Sequence, residues 1–115
     1  MKKVEHIGIA VKDLSNSNTI FEKLFNQPHY KIEEVKSEGV RTSFFQLGGI
    51  KIELLQATKA DSPIAKFIAK NGEGIHHIAF EVENIVAEMN RLMSEGFELI
   101  HTEAKDGADN KKICF

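Results

Sequence analysis

Three residues stand out for the chemistry that their types and spacing allow: His6, Glu53 and His77. Imidazole nitrogens and a carboxylate are the donor set that holds a divalent cation. His6 opens the stretch HIGIAVKDL and His77 opens HIAFEVENI, 71 residues later. Both read H-I-small-apolar-x-V, then a charge, then Asp or Asn. Each alternates in the period of a half-buried strand. Alternation puts His6 on one face with Gly8 and Ala10, and His77 on one face with Ala79. Small residues beside a histidine leave room for a ligand. Two histidines equivalent in an internal repeat are natural partners on one ion. His76 has the opposite parity, with Ile78, Phe80 and Val82, so it is expected on the packed side as a packing or supporting residue.

Glu53 sits in the apolar run IKIELL, 47 residues after His6. A buried carboxylate in such a strand is costly unless something offsets its charge, and a cation would do so. A blander reading pairs Glu53 with Lys51 or Arg41 on a solvated strand. The two histidines, taken singly, could be ordinary strand residues. His29 and His101 show no constellation.

The elements that must position these residues follow from periodicity and caps. Strands are expected over 3–11, 30–36, 41–47, 50–56, 75–82 and 97–102, with another starting at 112–115. Gly48-Gly49 reads as a hairpin turn, not a phosphate loop, because no helix start follows it. Helices are expected over 15–25, 63–70 and 85–95. The first is capped by Ser15 or Asn16, with Ile20, Phe21, Leu24 and Phe25 as its buried stripe and Asn26 and Pro28 as its stop. The second is capped by Ser62, has Pro63 at its first position and turns Ile64, Phe67 and Ile68 inward. The third is capped by Asn84, with Ile85, Met89, Leu92 and Met93 on one face and Gly96 as its stop. A polar loop rich in Gly, Ala and Asp precedes the last strand.

The order strand, helix, strand, strand, strand thus starts twice, an internal repeat. Carrying Glu53 into the second copy puts its counterpart at about position 124, past Phe115, so the second module is expected to lack its final strand.

Composition narrows the function. At 115 residues the chain makes one domain. A net charge of −2 without a basic cluster argues against a general nucleic-acid binder. No apolar run approaches a membrane span, and MKKVEH is not a signal peptide; a cytoplasmic protein is expected. The single cysteine, Cys114, excludes an internal disulfide and reads as a strand residue.

With these residues in place, the chain resembles the vicinal oxygen chelate (glyoxalase) superfamily, and within it the methylmalonyl-CoA epimerases. The stretches that carry the resemblance are VEHIGIAVKDL, LGGIKIELLQ, DSPIAKFIAKNGEGIHHIAFEV and EAKDGADNKKICF. It implies an α+β fold in which two βαβββ modules form a half-open, barrel-like mixed sheet around a metal site. Module one would cover about 3–56, a connecting helix 62–71, and an incomplete module two 75–115. The resemblance puts metal ligation on His6, Glu53 and His77, and a catalytic glutamate on Glu38, in SEGV; by itself Glu38 reads as an exposed turn residue. A further glutamate, in a final strand that the sequence lacks, would bind metal and act as the second acid/base; a chain ending at Phe115 would then lack normal activity. The implied reaction interconverts the R and S forms of methylmalonyl-CoA through an enolate. The implied partners are one divalent ion (Co2+, Mn2+, Mg2+, Ni2+ or Zn2+), an acyl-CoA thioester and a second copy of the chain in a homodimer. Lys51, Arg41, Lys105 and Lys111 are available for the CoA phosphates. Competing readings are a glyoxalase I-type lactoylglutathione lyase, which DSPIAKF disfavours, and a non-catalytic binding protein of the same fold, which would not need His6 and His77.

Overall fold

A computed structural model describes residues 1–108 and 111–115. The chain runs β1 (Lys3–Ala10), α1 (Leu14–Phe25), β2 (Lys31–Val35), β3 (Val40–Leu47), β4 (Ile50–Ala57), α2 (Pro63–Asn71), β5 (Gly74–Glu81), α3 (Ile85–Ser94), β6 (Lys105–Asp106) and β7 (Lys112–Ile113). It is a mixed α+β fold. Val4–Phe80 form one compact unit, and Met1–Lys3 with Glu81–Phe115 form another.

In the larger unit, β1, α1, β2, β3 and β4 make the expected βαβββ module. The sheet order is β2-β3-β4-β1-β5. β1 runs parallel to β4, and β2, β3 and β4 are antiparallel neighbours. The β3–β4 hairpin turns at Gly48-Gly49, where Gly48 takes a left-handed φ of 61° and Leu47 pairs with Ile50. The period-two pattern divides the side chains between two cores. On one face Val11, Leu14, Phe45, Ile52 and Leu54 pack with Ile7, Ile9, Phe21 and Phe25. On the other, Ala10, Val40, Leu55 and Ile64 pack with Val35, Ala57, Phe67 and Ile68. β4 is buried on both faces from Ile52 to Leu55. That is why its sequence is apolar on either side of Glu53.

Helix α1 departs from the expected detail in two ways. Asp13, not Ser15 or Asn16, is its N-cap, accepting the amide of Asn16 at 3.0 Å. Its extended φ and ψ put its carboxylate beside the unpaired amides of the first turn, whereas Ser15 and Asn16 already lie inside the helix. The stripe is also rotated. Leu14, Ser17 and Asn18 are buried and Phe21 and Phe25 partly so, while Ile20 and Leu24 are 54% and 69% exposed. A 3.6-residue period starting from Leu14 passes through 17/18, 21 and 25 and misses 20 and 24. Asn26 ends the helix in the left-handed conformation, with φ 56°. Helix α2 is as expected: Ser62 caps Ala65 at 3.1 Å, Pro63 takes the first turn, and Gly72 closes it with its amide on Ile68.

In the smaller unit, Asn84 caps α3 as expected. Met89 is its buried residue, but Met93 is half exposed and so not part of the buried face. The strand expected over 97–102 does not form. The amide of Phe97 turns back to Leu92 at 2.9 Å, and the amides of Ile100 and His101 both converge on the carbonyl of Phe115. One shared acceptor cannot set up the alternating ladder that holds a strand extended. Lys105 and Asp106, inside the expected polar loop, instead pair antiparallel with Ile113 and Lys112. Residues 109 and 110 of that loop lie outside the described residues. Cys114 follows β7, its thiol donating to the carbonyl of His101 at 3.4 Å. Among the described residues, no helix is long and apolar enough to cross a membrane.

Candidate metal centre

Three strands of the larger unit deliver the three residues. β1 carries His6, β4 carries Glu53, and β5 carries His77. In the parallel β1–β4 register His6 stands opposite Lys51 and Gly8 opposite Glu53. The carboxylate is therefore one repeat of the pleat along from the imidazole, on the same face. One ligand atom from each of His6, Glu53 and His77 lies within 4.8 Å of the others. The Nε2 atoms of His6 and His77 are 2.9 Å apart, and their rings meet edge to face at 87°. His6 Nδ1 is 3.2 Å from Glu53 Oε2.

Gly8 makes the approach possible. A Cβ built there would lie 2.3 Å from Cε1 and 2.7 Å from both ring nitrogens of His77. The room left by a small residue is filled by the imidazole from the neighbouring strand. Phe44 pairs with Glu53 across β3–β4 and is fully buried, closing that flank of the carboxylate. Glu53 itself is only 5% exposed, which sets aside the solvated-strand reading. Lys51 Nζ bonds Glu5 at 2.9 Å, and Arg41 bonds Glu34 at 3.3 Å.

The electrostatics suit a cation. Burial, reinforced by the nearby His6 and His76, pushes the His77 pKa down to about 4. Its imidazole is neutral at pH 7 and keeps a lone pair. Burial also lowers His76. Burial by itself would raise Glu5, but hydrogen bonds with His6 and Lys51 outweigh it and hold the carboxyl below its usual value. Glu5 stays ionised, so Glu5 and Glu53 put two carboxylates against His6, with Lys51 as counter-charge.

One expectation changes. His76 is not confined to a packed side: its Nδ1 is 2.9 Å from Nδ1 of His77 and its ring meets Phe67 edge-on at 4.9 Å, while Ile78 and Phe80 are half exposed. β5 ends the strand order, and a side chain on such a strand can swing toward its edge. Glu38, expected as a catalytic residue and not as a ligand, stands at the end of the turn Lys36–Glu38, just before β3. Sequence reasoning missed Glu5 as a neighbour of the site. Its signal was position: it immediately precedes His6 and carries a charge in an otherwise apolar strand.

The Glyoxalase/Bleomycin resistance protein/Dioxygenase superfamily profile matches residues 5–115. Uncharacterized protein YqjC of Bacillus subtilis is 35% identical over 115 residues, covering all of this chain and 82% of that protein. The ethylmalonyl-CoA/methylmalonyl-CoA epimerase of Cereibacter sphaeroides is 36% identical over 98% of this chain and 86% of its own length. A variant of Streptomyces coelicolor methylmalonyl-CoA epimerase, solved in complex with 2-nitronate-propionyl-CoA, has a TM-score of 0.94 at 30% identity, over 100% of this chain and 84% of that one. The chain spans 64% of the mouse mitochondrial methylmalonyl-CoA epimerase, which it also matches. The chain belongs to the glyoxalase/bleomycin resistance protein/dioxygenase superfamily, in the group that holds the methylmalonyl-CoA epimerases.

Proposed function

We propose that the chain is an isomerase of the methylmalonyl-CoA epimerase type. It removes the proton from the carbon between the thioester and the carboxylate of a 2-substituted malonyl-CoA and returns one to the opposite face. The convergence of His6, Glu53 and His77 carries this reading, and the relatives supply the substrate class.

The three residues fit a divalent cation. Two imidazole nitrogens 2.9 Å apart, with a carboxyl group beside them, are donors that one ion could take together. Glu53 brings a buried carboxyl group, and His77 a neutral imidazole. A divalent ion held there supplies Lewis acidity toward the negative charge that develops as the proton leaves. His6 and His77 present Nε2 lone pairs, Glu53 balances charge, and Phe44 keeps water from the carboxylate's flank. Glu38, in the turn before β3, is the residue to which the family resemblance assigns one of the proton transfers.

The test is deuterium uptake by methylmalonyl-CoA in D2O, read by mass spectrometry, with and without Co2+. Wild-type protein is expected to label the substrate in a Co2+-stimulated manner. The variant Glu38→Gln should lower the rate about 10²–10⁴-fold, the cost of losing a general base. Absence of labelling by protein shown to hold one Co2+ per chain would overturn the proposal.

A further inference from the structure

Glu5 and His76 occupy equivalent places in the repeat. Each immediately precedes a histidine of the cluster, and they are 71 residues apart, like the histidines themselves. Each also engages Nδ1 of the ring that follows it. Glu5 Oε1 is 2.6 Å from His6 Nδ1, and His76 Nδ1 is 2.9 Å from His77 Nδ1. Consecutive strand residues start toward opposite faces, so neither contact comes with the strand. Each needs the preceding side chain to be turned back and held. Lys51 Nζ holds the far oxygen of Glu5 at 2.9 Å, and both side chains are largely buried, at 14% and 16% exposed. Phe67 holds His76 edge-on at 4.9 Å.

The consequence lies in the tautomers. A neutral imidazole has one N–H and one lone pair, and a carboxylate only accepts. Glu5 therefore draws the proton of His6 to Nδ1 and leaves the lone pair on Nε2. Glu53 Oε2 is also near that nitrogen, at 3.2 Å. The shorter contact is the one to Glu5, at 2.6 Å. On the other side, a His76 protonated at Nε2 accepts from Nδ1–H of His77 and again leaves Nε2 of the cluster histidine bare. The two Nε2 atoms face each other at 2.9 Å, an approach that two bare lone pairs make only with a cation between them.

We propose that Glu5, clamped by Lys51, and His76 are positioning residues that fix the tautomer and aim of His6 and His77, so that both rings present Nε2 to a divalent cation. This rests on the cation-site reading above. Neither residue touches substrate or ion; each acts through the ring it holds.

Two measurements on the purified chain test it. Long-range proton–nitrogen NMR of the protein loaded with Zn2+, a diamagnetic ion, reports which nitrogen of each ring is protonated. Titration calorimetry with Co2+ gives the affinity. Wild-type protein is expected to show Nδ1–H on both His6 and His77. Glu5→Gln should raise the Nε2–H form of His6 alone and weaken Co2+ about 10–100-fold, the usual effect of losing a partner behind a ligating histidine. His76→Phe, which keeps an aromatic ring against Phe67, should disturb the tautomer of His77 alone and weaken Co2+ about tenfold. Lys51→Arg keeps the clamp and should stay near wild type. Unchanged tautomers in both Glu5→Gln and His76→Phe would overturn the inference, as would undiminished affinity in both. Wild-type protein that binds neither Zn2+ nor Co2+ would instead overturn the cation-site reading, while Nδ1–H on His6 and its loss in Glu5→Gln would leave the positioning role of Glu5 standing.

Discussion

The two histidines of the cluster come from the same motif and sit in unlike surroundings. His6 lies on β1, inside the sheet between β4 and β5, against two carboxylates and next to the Glu5–Lys51 pair. His77 lies on β5, at the end of the strand order, flanked by two other imidazoles. Burial and those imidazoles push its pKa down to about 4. A repeat thus sets where each ring sits, while its neighbours from other strands set how readily it takes a proton. The pairing is useful to a cation: one ligand lies in a negative pocket, and the other stays neutral well below pH 7.

That contrast can be broken most strongly by removing either ring. His6→Ala and His77→Ala should each weaken Co2+ by more than about 100-fold, beyond what loss of an outer partner costs, as read by calorimetry. Equal, small losses would mean that the two rings do not share an ion. A finer probe is Gly8→Ala, which acts on His77 and leaves His6 chemically intact. The added methyl meets the His77 ring at 2.3 Å, and the ring, being the mobile end of a side chain, must move. Co2+ affinity should fall about tenfold or more, with a stability loss of only about 1 kcal/mol. A crystal structure of the variant with His77 unmoved would contradict this.

The smallest effect is in the pH dependence of stability without metal. Between pH 6.5 and about 4 the unfolded chain protonates this histidine and the folded chain does not, so stability rises with pH across that window. On acidification the protein should lose stability from about pH 6.5 downward, by about 2 kcal/mol once solvent screening of a half-buried ring is allowed for. Denaturant unfolding at several pH values measures it. His77→Gln should flatten that part of the profile, and an unchanged slope would mean that another group carries it.

Much of the arrangement was legible in the order of residues. The strand period of KVEHIGIA and GIHHIAFE, the Ser62-Pro63 and Asn84 helix starts and the Gly48-Gly49 turn are local signals, and the structure bears them out. His6, Glu53 and His77 could be singled out because a repeat and a carboxylate in an apolar strand are visible without coordinates. The rotated stripe of α1 was misread because Ile20 and Leu24 are as apolar as Phe21 and Phe25. Only contact with Phe45 decides which side is buried. The strand expected over 97–102 had the right composition but no ladder to join.

By itself, then, the sequence determined the module order, the faces of the central strands and the donor set, because those depend on period and residue type along one chain. The tertiary structure alone decided the rest: Gly8 yields its space to a ring 69 residues away, Lys51 is taken by Glu5, and His76 turns back on His77. These depend on strand register and on how far side chains reach across it, and neither is written in the spacing of residues along a single strand.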